Sequence, residues 1–284
     1  MSATLKVTPM LQQYLEIKQQ YPDAVLFYRM GDFYEMFFED AVLAAKVLGI
    51  TLTSRSHKDD ANKIPMCGVP FHAISGYLGR MIKAGHRVAI CEQVEDPKDA
   101  KGIVRREVVR VVSPGVTTDD QLLDEKADCY VCALLRQRKT AQEYLYGLAF
   151  LDVSTGRFQV NEISCSGQDT TALCDEITRW QPAELIIPQN EQEAYAPLTG
   201  LLTTLLGRLC LTSRPEHHFE ASVAFSALKE HFRIVNLAGF GCDAYTLAIN
   251  AAGALLQYVK DSQKTELSHI KQISPVRNDD CLII

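Results

Sequence analysis

The chain has 284 residues, 47% of them hydrophobic, enough for one large or two ordinary domains, each with its own core. No run approaches the roughly 18 apolar residues that a membrane span needs, and Met1-Ser2-Ala3-Thr4-Leu5-Lys6 lacks the apolar segment of a secretory signal, so a soluble cytoplasmic protein is expected. Nine cysteines, odd in number and scattered, suit a reduced intracellular chain, and a net charge of −6 at first argues against a polyanionic partner.

That charge is unevenly spread. Residues 1–115 carry 15 Lys and Arg against 13 Asp and Glu, a balance of +2, whereas the remainder carries 14 against 22, a balance of −8. Only the first part suits a polyanion, and weakly, so tight nucleic-acid binding would draw on basic surface elsewhere. The asymmetry predicts one domain facing nucleic acid and one facing proteins.

From the N-terminus, Thr8-Pro9 reads as a helix start, with Leu11, Tyr14, Leu15 and Lys18 at helical spacing to about Gln20. Tyr21-Pro22-Asp23 breaks that helix, and Ala24 to Met30 reads as a strand. A Gly31-Asp32 turn signal then leads at once into Phe33-Tyr34-Glu35-Met36-Phe37-Phe38, the densest aromatic cluster in the chain. Two readings stand side by side. In one, Phe33, Tyr34 and Phe37 are core aromatics of a strand feeding a helix, with Asp32 and Glu35 as a capping box. In the other, the turn projects side chains outward to bind.

Ala41, Leu43, Ala44, Val47 and Leu48 form an amphipathic helix stopped by Gly49, followed by a short β-like run from Ile50 to Thr53. The polar stretch from Ser54 to Lys63 contains Arg55, His57 and Lys58; it is either a solvated loop or a phosphate-contacting flap. A helix from about His72 to Ala84, closed by Gly85, and a strand from Arg87 to Val94 continue a βαβ rhythm. Lys98, Lys101, Arg105, Arg106 and Arg110 then gather along a loop and the strand Ile103 to Val112. Strand alternation puts Arg106 and Arg110 on one side, with Val108 between them, and Arg105 on the other. They either guard a sheet edge by charge or contact phosphates.

Breakers and small polar residues from Ser113 to Asp120 mark a linker, giving domains at 1–115 and 128–265 around a connection at 116–127. Strands are expected near Cys129 to Leu135, Tyr144 to Val153 and Arg157 to Ile163, with Ser154-Thr155-Gly156 as a hairpin turn. Leu173, Ile177 and Trp180 mark a helix face, Glu184 to Pro188 a buried strand, Ala196 to Leu206 a helix and Leu209 to Leu211 a short strand. Ala221 to His231 and Asp243 to Lys260 read as helices, and Ile270 to Ser274 with Cys281 to Ile284 as a strand pair. Residues 266–284, ending on apolar residues, are read as the truncated start of a further domain.

The block Gly31-Asp32-Phe33-Tyr34-Glu35-Met36-Phe37, preceded by Phe27-Tyr28-Arg29-Met30 and by Thr8-Pro9-Met10-Leu11-Gln12-Gln13-Tyr14, resembles the mismatch-recognition domain of the MutS family of DNA mismatch-repair proteins. Ile64 to Ala73, Val88 to Val94 and Val111 to Val116 are similar to that family in the same order, and Ala149 to Gly156 with Pro182 to Ile186 look like its connector domain. The resemblance implies an α/β fold in two domains, a mixed-sheet recognition domain and a ribonuclease-H-like connector, the latter agreeing with hairpin strands followed by alternating helices and strands. It assigns a minor-groove wedge to Phe33 and a base-contacting carboxylate to Glu35. It also implies duplex DNA with mismatches or small loops as ligand, MutL and a second MutS copy as partners, and no membrane. ATP and Mg²⁺ would belong to domains outside this chain, with no cofactor and no catalysis within it.

A mispaired step has lost stacking and pairing, so a planar ring opens it more cheaply than a matched one. A carboxylate beside phosphates is repelled, so Glu35 makes sense where it finds a donor on the displaced base or carries a proton. Alternation turns Tyr34 inward.

Other chemistries have weaker support. Asp152, with Glu184 and Asp243, could suggest a two-Mg²⁺ nuclease, but Asp152 better fits a hydrogen bond within the Ser154-Thr155-Gly156 turn. Cys129 and Cys132 have metal-knuckle spacing without a second pair, and on a strand their sulfurs would face opposite ways. His217-His218 reads as surface.

Overall fold

The computed structural model describes residues 8–55, 63–95, 102–116, 129–167, 169–263 and 266–276, and for Arg55 the backbone alone. The described residues divide into two compact units, the first ending at Ser113 and the second starting at Pro114.

In the first unit, helix α1 (Pro9–Gln20) starts at Thr8, whose hydroxyl accepts from the Leu11 amide at 3.4 Å, and turns Leu11, Tyr14 and Ile17 inward. Strand β1 (Ala24–Met30) reverses through Gly31-Asp32 into β2 (Phe33–Phe37). Helix α2 (Phe38–Leu48) follows without a side-chain cap and ends at Gly49, which takes φ +63° and returns its amide to Ala45 O. The expected capping box of Asp32 and Glu35 therefore does not form, because Phe33–Phe37 is committed to the sheet and the helix starts later. Strand β3 (Thr53–Arg55) sits beyond the expected Ile50–Thr53 run and pairs antiparallel with β4 (Ile64–Pro70). After a single 3₁₀ turn at Phe71–Ala73 come α3 (Ile74–Lys83), β5 (Arg87–Gln93) and β6 (Arg106–Val112).

The sheet order is β3-β4-β2-β1-β5-β6, mixed because β1 and β5 run parallel and the other neighbours antiparallel. One face buries Phe27, Tyr34, Met36, Val69 and Ile90 with Ala41, Ala44 and Leu48 of α2 and Leu78, Met81 and Ile82 of α3. The other buries Leu26, Tyr28, Phe37 and Cys91 with Leu11, Tyr14 and Ile17 of α1. The buried Asp40 carboxylate ties three elements together, accepting from Lys18 Nζ at 2.9 Å, the Tyr14 hydroxyl at 3.1 Å and the Leu26 amide at 2.9 Å. A buried carboxylate survives only with such a full set of donors.

Strand β6 departs from simple alternation. Its register against β5 shifts between Ile90, which faces Arg110, and Cys91, which faces Val108. The extra residue, Val109, makes a bulge that flips the parity beyond it. Val108 and Val111 consequently share the α1 face while Val112 joins the opposite core, so Arg106 and Arg110 do not share a side as strict alternation predicts.

In the second unit, Pro114–Val116 is buried, and a Cβ built on Gly115 would lie 2.6 Å from Val131 Cγ2 and 2.9 Å from Glu184 Cβ. This breaker-rich stretch is thus part of a core through Val116, and the rest of the expected connection lies outside the described residues. Strands β7 (Tyr130–Arg138), β8 (Glu143–Asp152) and β9 (Phe158–Ser166) form an antiparallel meander. Then come α4 (Thr171–Trp180), β10 (Glu184–Pro188), α5 (Gln192–Leu206), β11 (Cys210–Arg214), α6 (Ala221–Phe232) and α7 (Thr246–Gln263). β10 runs parallel to β7 and β11 parallel to β10. With the two-residue β12 (Ser274–Pro275), the order is β11-β10-β7-β8-β9-β12, a ribonuclease-H-like arrangement.

Leu173, Ile177, Leu198 and Leu202 of α4 and α5 cover one face, and α6 and α7 the other. α7 starts at Thr246 rather than Asp243, its first amides received by Glu162 Oε1 at 2.6 Å from Leu247 and 3.0 Å from Ala248. The expected strand pair after Ile270 reduces to β12, which runs parallel to β9; Cys281 to Ile284 lie outside the described residues. Leu267, Ile270 and Ile273 are buried in the α7-side core, so a boundary at 265 would cut through that core. Among the described residues, no helix is long and apolar enough to cross a membrane.

α6 and α7 meet backbone to backbone, since a Cβ on Gly253 would lie 2.4 Å from both Cα and O of Ala224. Gly253→Ala is expected to cost about 1–3 kcal/mol through overpacking. Trp180, the single tryptophan of this chain, stacks on Phe150 at 4.9 Å, so its fluorescence during urea unfolding reads this unit. An unchanged midpoint would mean the helices can separate at no cost.

Candidate nucleic-acid interface

Gly31 takes φ +57°, a left-handed conformation favoured by glycine, and closes a two-residue turn that sets the pairs Tyr28 to Glu35, Arg29 to Tyr34 and Met30 to Phe33. On the other side of β2, Phe33 faces Pro70, Tyr34 faces Val69 and Glu35 faces Gly68. Directly paired residues share a face, so Phe33 and Glu35 lie on the α1 side and Tyr34 and Met36 on the other. α1 covers that first face over Leu26 and Phe37. At the turn the face is open: Phe33 is 48% exposed, Gly68 is exposed, and Met30, Glu35 and Pro70 are half-buried. Gly68 puts no side chain beside the carboxylate stem; a Cβ there would touch Glu35 Cγ at 3.7 Å.

The back of the turn is braced. Tyr34 is 3% exposed, and its hydroxyl donates to Glu92 Oε1. Glu92 Oε2 lies 3.6 Å from Arg29 Nη1, while Arg29 Nε donates to Gly31 O at 2.5 Å. The Arg29 guanidinium stands 3.8 Å from the centre of the Phe71 ring, and the Phe71 amide donates to Asp32 O at 2.9 Å. Phe71 is itself 41% exposed. Burial, reinforced by the bond to Glu92, pushes the Tyr34 hydroxyl up to about 12.

The basic residues separate. Arg106 is only 8% exposed, its Nε donating to Arg29 O at 2.7 Å, Nη1 to Val104 O at 2.9 Å and to Gln13 Oε1 at 3.3 Å, with the guanidinium over the Tyr28 ring. It buttresses the hairpin from within, contrary to a surface phosphate ligand. Arg110 is half-buried on the opposite side of β6. Arg55 ends β3; its side chain, His57, Lys58, Lys98 and Lys101 lie outside the described residues. Phe33, Glu35, Met30 and the buried Arg106 thus share one face of the sheet.

Arg29, Glu92 and Phe71 were not singled out by sequence. The parity of Arg29 with Tyr34 follows from a two-residue turn, but nothing local links either to Glu92.

The alternative chemistries meet different surroundings. Asp152 accepts from the Ser154 amide at 2.9 Å and from the Ser154 and Thr155 hydroxyls at 2.7 Å each, holding the β8–β9 turn. Buried Glu184 accepts from Thr212 Oγ1 at 2.6 Å and from the Tyr258 hydroxyl at 2.5 Å. Among the described residues, no group of three or more His, Cys, Asp or Glu is placed to hold a metal ion, and each described cysteine is a free thiol. His217 is exposed, and His218 Nδ1 meets Gln257 Oε1 at 2.5 Å.

A mixed-sheet α/β domain presenting an aromatic hairpin tip, followed by a ribonuclease-H-like α/β domain, defines the class of protein. Residues 8–121 match the family described as MutS domain I, and residues 129–271 that described as MutS domain II. The chain is 46% identical over 279 residues to the DNA mismatch repair protein MutS of Syntrophobacter fumaroxidans (strain DSM 10017 / MPOB), and 46% identical over 281 residues to that of Desulfatibacillum aliphaticivorans. Each alignment covers 98% of this chain and 30% of the relative, so the chain spans about a third of the length of these relatives. The chain belongs to the MutS family.

Because the folded Tyr34 hydroxyl titrates above its ordinary 10.0, its stabilisation is complete below pH 10 and is lost as pH rises towards 12. The unfolding midpoint of the first unit is expected to fall more steeply over that window in the native chain than in Tyr34→Phe. Parallel curves would show that the phenol bears no such burden.

Proposed function

We propose that the first unit recognises mispaired or unpaired bases in duplex DNA from the minor groove, with Phe33 as an inserted wedge and Glu35 as the carboxylate that contacts the displaced base. The single observation supporting this reading is the 48% exposure of Phe33 at the uncovered end of a sheet face otherwise packed under α1. A core aromatic would be sealed at that position, whereas here the exposed residue shares its open face with Met30 and the Glu35 carboxylate. Insertion at a mispaired step costs less than at a matched one, because the stacking to be broken is already weakened.

Glu35 supplies discrimination through a penalty. Next to phosphates its charge is unfavourable unless a base donor receives it or it takes up a proton, so it opposes binding wherever the bases do not yield. Arg55, His57 and Lys58 would contact phosphates, as would Arg110 from the face of the sheet away from Phe33. Arg106 is given the supporting role its burial suits. The weak positive balance of this unit requires further basic surface in the whole protein, consistent with a clamp formed by two copies. The second unit would be a connector to MutL and to ATPase domains, using ATP and Mg²⁺, in the remainder of the protein. Neither unit would itself be catalytic.

In the whole protein, Phe33→Ala is expected to erase the preference for mispaired over matched duplex, a loss of about 1–3 kcal/mol on the mispaired substrate. Glu35→Ala is expected to raise affinity for matched duplex. Competition between two duplexes differing at one base measures both. A retained preference without the ring, or a fall on both substrates without the carboxylate, would overturn the assignment.

A further inference from the structure

The wedge sits on a turn of two residues, and a single side chain behind that turn touches most of what shapes it. Arg29 lies on the face away from Phe33, paired across the hairpin with Tyr34. Its Nε–H is bonded to the carbonyl of Gly31, the residue with φ +57°. Its Nη1 faces Glu92 at 3.6 Å, and Glu92 in turn receives the Tyr34 hydroxyl. Its guanidinium plane is backed by Phe71 at 3.8 Å, and the Phe71 amide holds Asp32 O, the other half of the turn. Both turn carbonyls are therefore fixed by this one assembly.

We propose that Arg29 is a positioning residue for the wedge: it locks the Gly31-Asp32 turn so that Phe33 is presented in one orientation before DNA arrives. This inference rests on the wedge reading of Phe33. The chemistry favours Arg over Lys, because only a guanidinium offers the Nε–H donor, the ion-pairing Nη and a flat face for the ring at once. With a side chain only 17% exposed, its Nε bonded to Gly31 O and its Nη1 turned to Glu92, Arg29 is poorly placed to serve as a phosphate contact. A loose turn would have to be ordered upon insertion, and that entropy would be charged to the mispaired complex. Matched duplex, where the ring is not inserted, would not feel it.

The test is a double-mutant cycle in the whole protein, with equilibrium binding to mispaired and matched duplexes at two salt concentrations. Arg29→Lys keeps the charge opposite Glu92 and loses the Nε–H and the plane. It is expected to weaken mispaired binding by roughly fivefold, the worth of one hydrogen bond, with matched binding and the salt slope unchanged. In a Phe33→Ala background the same substitution is expected to do nothing, an outcome that a merely structural role would not produce. Equal weakening on both duplexes, with a shallower salt slope once the charge itself is removed in Arg29→Gln, would make Arg29 a phosphate ligand and overturn the proposal. So would a full loss in the Phe33→Ala background, or no loss in either. If Phe33→Ala alone keeps the mispair preference, the wedge reading fails first, and this proposal with it. Should Arg29→Lys not fold, Phe71→Leu, at an exposed position, removes the ring behind the guanidinium. It is expected to lower mispaired binding in the same selective way, and no change would count against the lock.

Discussion

Everything at the candidate interface depends on the register of one hairpin. The side-chain period of a strand is two, so a slip of one residue between β1 and β2 would turn Phe33 and Glu35 into the core beneath α2 and α3 and expose Tyr34 and Met36 instead. Two features oppose that slip. The turn has only two residues, one of them a glycine at φ +57°, and β2 is paired on both sides, by β1 and by β4. The aromatic density of this stretch is thus divided between two jobs: Tyr34 and Phe37 anchor opposite cores, while Phe33 alone is left in solvent.

Such a presentation needs a stiff platform, and buried polar groups supply the stiffness. Asp40 collects donors from α1 and β1 onto α2, and Arg106 reaches back to Arg29 O beneath the hairpin. In the second unit, Glu184 joins β10 to β11 and α7 through Thr212 and Tyr258, and Glu162 receives the first amides of α7. Each is worth little in net terms but costly to break, since a buried carboxylate without donors is strongly unfavourable. Close backbone approaches at Gly147 and Gly253 let α7 settle onto β8 and α6.

The elements legible in the sequence were those with a local cause. Thr8-Pro9 starts α1, Gly49 ends α2, Ala24–Met30 is a strand, and Asp152 accepts from the Ser154-Thr155 turn, because capping, turn chemistry and alternation act within a few residues. What was not legible depends on partners distant in the chain. The bulge at Val109 appears only when β6 is laid against β5, and it separates Arg110 from Arg106. Burial of Arg106 depends on Gln13, Arg29 and Tyr28, far upstream. The aromatic run gave an ambiguous signal for the same reason: pairing to β4 carries the strand on from Glu35 to Phe37, beyond what the local hairpin with β1 pairs.

As the proposed wedge, the Phe33 ring would enter the duplex at a faulty pair. Replacing Phe33 with the photoreactive p-benzoylphenylalanine in the whole protein, irradiating it on duplexes with and without one mispair, and mapping the adduct tests this most directly. A cross-link confined to the mispaired step and absent from matched DNA is expected. Adducts spread evenly along both duplexes, or none on either, would contradict it.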